Sequence, residues 1–155
     1  MKVLKKWLEI VTGLSLAVVV LATFAQVLLR FVFKIPAPWT EEVSRIAFAY
    51  MVFLGSALGV KYKAHLSVDI LSAFPVPARK PIASLGHVLA IIFVAIFTYY
   101  GWVHATNSWE QFTPTLEISL FYLYLILPVS GVLMLYYLCK NMIEELKSTE
   151  EVKSA

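Results

Sequence analysis

Arg30, Glu41, Glu42 and Arg45 set two guanidinium groups and two carboxylates close together in the chain, and Gln26 precedes Arg30 by one helical turn. Such a set can form ion pairs and charge-assisted hydrogen bonds. Gln26 and Arg30 share one helical face, as do Glu41 and Arg45 on the next helix. An antiparallel hairpin brings all four to a similar depth. Because two Arg and two Glu sum to zero charge, a network of these residues limits the cost of taking charges below a membrane interface. It pins the hairpin, part of it reaches a second protein, or it contacts a substrate directly. His87 and His104 suggest different chemistry, axial ligation of a haem. They fall about 25 Å apart along one helix, and a haem would need a dimer or a methionine such as Met51 or Met134. The single cysteine, Cys139, excludes an internal disulfide and a multi-cysteine metal site within one chain.

The elements that position these groups are four long apolar stretches. Residues 10–29, 46–60, 82–109 and 118–139 carry no Asp, Glu, Lys or Arg. A helix needs about 20 apolar residues to span hydrocarbon. The second stretch reaches that length when it extends back through Arg45 to Thr40, since a long cationic side chain near a helix end snorkels to the interface. Composition agrees: 60% hydrophobic residues, 15% charged and a mean hydropathy of +0.78 leave too little polar surface for a soluble globule. The fold class is therefore an all-α integral membrane protein with four transmembrane helices, near 7–34, 40–61, 81–109 and 117–141, in one membrane domain. The N-terminal apolar run continues well past the roughly 7–15 residues of a signal core, so it reads as an uncleaved first helix.

Orientation follows from Lys and Arg, which favour the cytoplasmic side of short loops. Lys2, Lys5, Lys6, Lys61, Lys63, Arg79, Lys80, Lys140, Lys147 and Lys153 fall on one side, against Arg30, Lys34 and Arg45 on the other. Both termini are expected in the cytoplasm. The net charge of +3 then reflects topology, and no nucleic-acid partner is implied.

Between the first two helices, Pro36 and Pro38 push their preceding residues extended and stop the first helix near Lys34. Thr40 is placed to cap the second helix, with Glu41 and Glu42 in its first turn where the dipole favours negative charge. Trp39 suits the aromatic belt at the headgroup level, as do Trp102, Trp109 and the tyrosines near them. Gly55 and Gly59, spaced G-x-x-x-G, admit another backbone closely on the second helix. The connector 62–80 reads as an amphipathic piece on the cytoplasmic membrane surface, where Lys61, Lys63, Arg79 and Lys80 meet anionic lipid and Asp69 pairs with one of them. The tail, 142–155, is a charged helical extension. No helix centre offers an acid, and the paired interrupted helices of a self-contained carrier are missing. Transport chemistry, catalysis, metal and cofactor are not expected on this chain.

Three stretches carry a family resemblance. Gln26-Val-Leu-Leu-Arg30-Phe-Val-Phe33 followed by Pro38-Trp39-Thr-Glu41-Glu42-Val-Ser-Arg45, then Phe53-Leu-Gly55-Ser-Ala57, then Lys63-Ala-His65-Leu-Ser-Val-Asp69, resemble the small membrane subunit, DctQ type, of tripartite ATP-independent periplasmic (TRAP) transporters. The resemblance covers about Gln26 to Leu71 by motif and the whole chain by length and layout. It implies a multi-pass protein of the bacterial inner membrane that braces a large polytopic transport subunit in a sodium-driven importer of carboxylates. A periplasmic substrate-binding protein delivers the substrate, and the outward charges Glu110, Glu117 and Lys34 are available to help receive it. Gln26, Arg30, Trp39, Glu41, Glu42, Arg45, Gly55, Gly59, His65 and Asp69 are then the expected interface or structural network. The alternative is a membrane-anchored haem or accessory subunit of another complex.

Overall fold

The computed structural model of the chain describes residues 2–62 and 76–154. His65 and Asp69, and most of the connector 62–80, lie outside the described residues. Among the described residues five helices follow in order: α1 Lys2–Phe31, α2 Pro38–Lys61, α3 Val76–Asn107, α4 Leu120–Tyr124 and α5 Ile126–Ser154. Among the described residues four segments are long and apolar enough to cross a membrane, namely Lys6–Phe31, Pro38–Lys61, Leu85–Asn107 and Leu120–Ile143. Leu21, Phe24, Phe93 and Ile96 stand exposed along them, and lipid is the solvent that makes such exposure inexpensive. The four-span reading therefore holds.

α1 lies against α2 and α3 against α5, with α2 and α5 side by side between them. The pairs α1/α2 and α3/α5 are antiparallel. Thr12 meets Gly55 on the first, and Thr98 meets Gly131 on the second. α2 runs parallel to the α4–α5 segment, since the Tyr50 hydroxyl in mid-α2 donates to the Tyr122 carbonyl of α4 (2.8 Å) and Asn141 Nδ2 of α5 to the Val60 carbonyl near the end of α2 (2.9 Å). The core between them holds Leu54, Ala57, Val60, Ile126, Met134 and Leu138.

Helix ends differ from expectation in three places, each for a backbone reason. α1 stops at Phe31, three residues before Lys34, because Lys34 takes a left-handed conformation (φ 56°) and turns the Ile35 N–H back to the Leu29 carbonyl at 2.9 Å. α2 starts at Pro38, not at Thr40. Proline's missing N–H and fixed φ suit the first helical position, so Ala37 is the N-cap and supplies no side-chain cap. The fourth span is broken into α4 and α5 at Leu125. Pro128 lacks the N–H that would bond the Tyr124 carbonyl, and its ring crowds that carbonyl. Ser119 caps α4 by accepting from the Phe121 N–H at 3.2 Å.

Of the glycine positions, those between α3 and α5 are approached most closely. A Cβ on Gly101 would sit 2.9 Å from Leu127 Cβ. One on Gly131 would overlap the Thr98 hydroxyl and lie 3.0 Å from Thr98 Cβ and 3.3 Å from its Cα. In lipid, where apolar burial drives helix association little, close approach over small residues is what holds spans together.

Candidate functional site

At the end of the bundle opposite the termini, α2 carries three of the four charges into different surroundings. Thr40 is fully buried and donates its hydroxyl to the Ala37 carbonyl at 2.6 Å, which steadies the first turn without capping it. Two residues further, Glu42 is buried, with 7% of its surface exposed. Its two carboxylate oxygens accept from the Thr115 and Leu116 N–H groups, each at 2.9 Å. That connector is itself built: Thr113 N–H donates to the Ile118 carbonyl at 2.9 Å, Leu120 N–H to Gln111 at 2.8 Å, and Ser119 Oγ to Trp109 at 2.7 Å. Glu117 sits in the left-handed region, with φ 52°. Glu42 thus locks the 108–119 connector onto the start of α2.

Glu41 and Arg45 form an ion pair one turn apart, Oε1 to Nη2 at 3.2 Å, with side chains 62% and 64% exposed. Arg30 is exposed and lies 6.0 Å over the ring of its neighbour Phe31. Among the described residues no carboxylate comes within ion-pair distance of it. Gln26 is half-buried on α1, and Trp39 is exposed in the first turn of α2. The four charges therefore do not assemble into the single network expected from the sequence. Adjacent helical residues point about 100° apart, so Glu41 and Glu42 cannot both face Arg30 and Arg45. Glu42 faces the connector instead, a destination that no local spacing announces.

The small-residue motif also divides. A Cβ on Gly55 would meet only Thr12 Cγ2, at 3.9 Å, and one on Gly59 would meet nothing within 4 Å. Among the described residues neither glycine is demanded by packing. The glycines that are, Gly101 and Gly131, stand in apolar runs on different helices.

A second polar cluster, which sequence reasoning passed over, ties α1, α2 and α5 near the termini. Lys61 was expected at the lipid surface, but its side chain is only 12% exposed and its Nζ lies 3.5 Å from Glu9 Oε1. The ammonium sits 4.8 Å from the centre of the Tyr62 ring and 6.0 Å from that of Tyr137. Tyr62 donates its hydroxyl to Glu9, and that bond raises the phenol above its ordinary pKa. Glu9 is the sole acid before Glu41 in the sequence, and that isolation in an apolar helix was the available signal.

Of the groups considered for haem, His104 is exposed and packs edge-on against Tyr124 with ring centres 4.4 Å apart, while Met134 is buried on α5. The α3/α5 register carries Met134 roughly 15 Å from the level of His104, too far for two ligands at one depth. Among the described residues no three His, Cys, Asp or Glu side chains converge as a metal site. A groove of about 330 Å³ between α3 and α5, walled by Phe93, Phe97, Tyr100 and His104, has an almost wholly apolar lining. The site offers a hydrogen-bonded connector, an exposed ion pair and a guanidinium unpaired among the described residues, which suit attachment to another protein.

Comparison with known proteins points the same way. Residues 19–148 match the family model described as the DctQ component of tripartite ATP-independent periplasmic transporters. A TRAP transporter small permease protein of Haemophilus influenzae is 33% identical over 152 residues, covering 97% of this chain and 92% of that one. The C4-dicarboxylate TRAP transporter small permease protein DctQ of Vibrio cholerae is 30% identical over 105 residues, 67% of this chain and 44% of that one. The sialic acid TRAP transporter permease protein SiaT of Haemophilus influenzae is 26% identical over 137 residues, 88% of this chain but only 22% of that longer protein.

Proposed function

The chain belongs to the DctQ family of TRAP transporter small subunits, multi-pass proteins of the inner membrane, and from that premise we propose that it braces a large transport subunit that imports a carboxylate. The observation that carries this reading is the chemistry of the spans. Their central stretches hold no acid or base, and the polar groups at their ends are largely occupied in holding this chain together. A carrier needs groups near mid-membrane to bind substrate and coupling ion. This chain leaves that work to a partner and has no catalytic role. Its similarity to a 22% segment of a longer permease supports a large membrane partner, since a stretch that is joined to a permease in one protein must act beside one when separate.

Sialic acid and C4-dicarboxylates, named for two relatives, are both carboxylates, and this class is the substrate proposed here. The Lys and Arg distribution favours both termini in the cytoplasm and the 32–37 and 108–119 connectors in the periplasm. There Glu110, Glu117 and Lys34, all exposed, are available to the periplasmic binding protein. A sodium gradient drives import.

Gentle detergent purification of the tagged chain from its native host, with mass spectrometry of what copurifies, tests the central claim. One stoichiometric, much larger polytopic protein is the expected result. A haem band, or a homo-oligomer alone, overturns it. Carboxylate uptake that is sodium-dependent and lost on deletion of this chain tests the rest.

A further inference from the structure

We infer that the tip of the α1/α2 hairpin, residues 30–39, is immersed in the headgroup layer on the side of the membrane away from the termini. Arg30 and Lys34 hold the phosphate of an anionic phospholipid there. The inference concerns lipid and does not depend on the bracing role proposed above.

Composition sets this segment apart. From Arg30 to Trp39 the chain holds two cations and otherwise only apolar side chains. A turn in water draws on Gly, Asn, Asp and Ser, and none of these is present. The connector 108–119, at the same end of the bundle, is the opposite: Glu110, Gln111 and Glu117 are all exposed, and it has no Lys or Arg.

The direction of the apolar groups says what covers the tip. Phe31, Val32 and Phe33 are 72%, 64% and 62% exposed, with Ile35 and Trp39 exposed beyond them. Three consecutive residues at a helix end turn through roughly 200°. A protein partner covers one side of a helix, whereas this exposure runs around the tip, and a fluid apolar medium covers that. Charge identifies the edge of the medium. Glu41 faces Arg45, and Glu42 is taken up by the Thr115 and Leu116 amides, so among the described residues neither Arg30 nor Lys34 has an ion-pair partner. Exposed cations among exposed aromatic and aliphatic groups match a phosphate layer over hydrocarbon, because Arg takes phosphate oxygens in pairs and Lys takes them as a point charge.

Depth agrees. The α1 span of 26 residues rises about 39 Å, and the α2 span of 24 residues about 36 Å. Both exceed the hydrocarbon core of about 30 Å but not the roughly 40–45 Å that includes the headgroups, so the hairpin does not lift its tip into water. The backbone tolerates this position. Val32 and Phe33 N–H donate to the Leu28 carbonyl, Ile35 N–H to Leu29 and Thr40 N–H to Ala37, while Pro36 and Pro38 have no N–H to satisfy. Lys34 then serves lipid, and the Glu41–Arg45 pair and the 108–119 connector remain for protein partners.

The test uses the full chain with whatever copurifies from native membranes, reconstituted in vesicles of phosphatidylethanolamine, phosphatidylglycerol and phosphatidylcholine. Cys139→Ala removes the native thiol, and Phe33→Cys or Glu110→Cys then places one bimane fluorophore. Lipids brominated in their chains quench a fluorophore in the bilayer, and acrylamide quenches one in water. The expected result is quenching by bromolipid and little by acrylamide at position 33, with the reverse at 110. Acrylamide quenching at 33 equal to that at 110 overturns the inference. Protection of 33 from both quenchers also overturns it, since a protein then covers the tip. Confining the bromine to phosphatidylglycerol or to phosphatidylcholine reads the headgroup. At low salt phosphatidylglycerol is preferred at 33 by roughly 30-fold, about fivefold for each cation. Arg30→Gln combined with Lys34→Gln abolishes that preference. Both side chains are exposed, and unchanged melting confirms that the variant folds. A preference that survives the double substitution removes the two cations from the site and overturns the inference.

Discussion

Replacing Gly131 by Ala is the sharpest perturbation of the packing described above. An added Cβ overlaps the Thr98 hydroxyl and lies 3.0 Å from Thr98 Cβ and 3.3 Å from its Cα, so part of the obstruction is backbone. The hydroxyl cannot rotate aside freely, because it donates to the Val94 carbonyl at 2.6 Å. Overpacking of this kind costs about 1–3 kcal/mol, and backbone contact puts it at the upper end. Alanine returns up to about 1 kcal/mol of helix propensity, leaving a net loss of roughly 2 kcal/mol, a factor of about 30 in the folded ratio. Gly86 is the control. It also lies in a membrane-span helix, but nothing stands within 4 Å of an added Cβ, so Gly86→Ala is neutral or gains up to about 1 kcal/mol. The assay is unfolding in mixed micelles of rising SDS fraction, followed by tryptophan fluorescence. Thr98→Ala combined with Gly131→Ala restores part of the loss, since the hydroxyl is gone and the Cβ at 3.0 Å remains, and the coupling in that cycle measures the contact. Equal stability of Gly131→Ala and Gly86→Ala would refute the reasoning, because the two helices would then not cross where Thr98 and Gly131 place them.

Glu42→Gln removes one charged acceptor and turns an amide N–H toward a backbone N–H, so hydrogen exchange at Thr115 and Leu116 speeds up and the 108–119 connector becomes easier to cleave. Unaltered exchange at both amides would count against the lock. At the other end, Glu9→Gln destabilises the fold more than Lys61→Met, since the first leaves a nearly buried ammonium without its counter-charge and the second removes the charge altogether; the reverse order in the same micelle titration would contradict the burial of Lys61. Pro128→Ala lets α4 and α5 join, because the Tyr124 carbonyl regains a donor. Helicity by circular dichroism rises slightly if so. Glu117→Gly relieves a left-handed residue while removing a carboxylate, so it leaves stability intact; unchanged uptake and unchanged affinity for the binding protein would remove Glu117 from the docking surface.

What the sequence determined alone is the solvent and the number of spans, because both depend on apolar length and on the absence of charge, which are properties of consecutive residues. The same holds for the family, whose motif is also local, and for the end of α1 to within a few residues, since prolines act on their immediate neighbours. Tertiary structure decided the partners of polar groups. Glu41 and Glu42 are adjacent and chemically alike, yet one is half of an exposed ion pair and the other is buried under a connector more than 70 residues away in the chain. Lys61 reads as one of several surface lysines until α1 and α5 close over it with Glu9 and Tyr137. Gly55 and Gly59 carry the recognisable spacing, but the crossing that needs glycine lies at Gly101 and Gly131, one on each of two helices. A pattern within one helix records which face is which. The contact that a face makes depends on the register of a second helix, and that register is set by packing between segments distant in sequence.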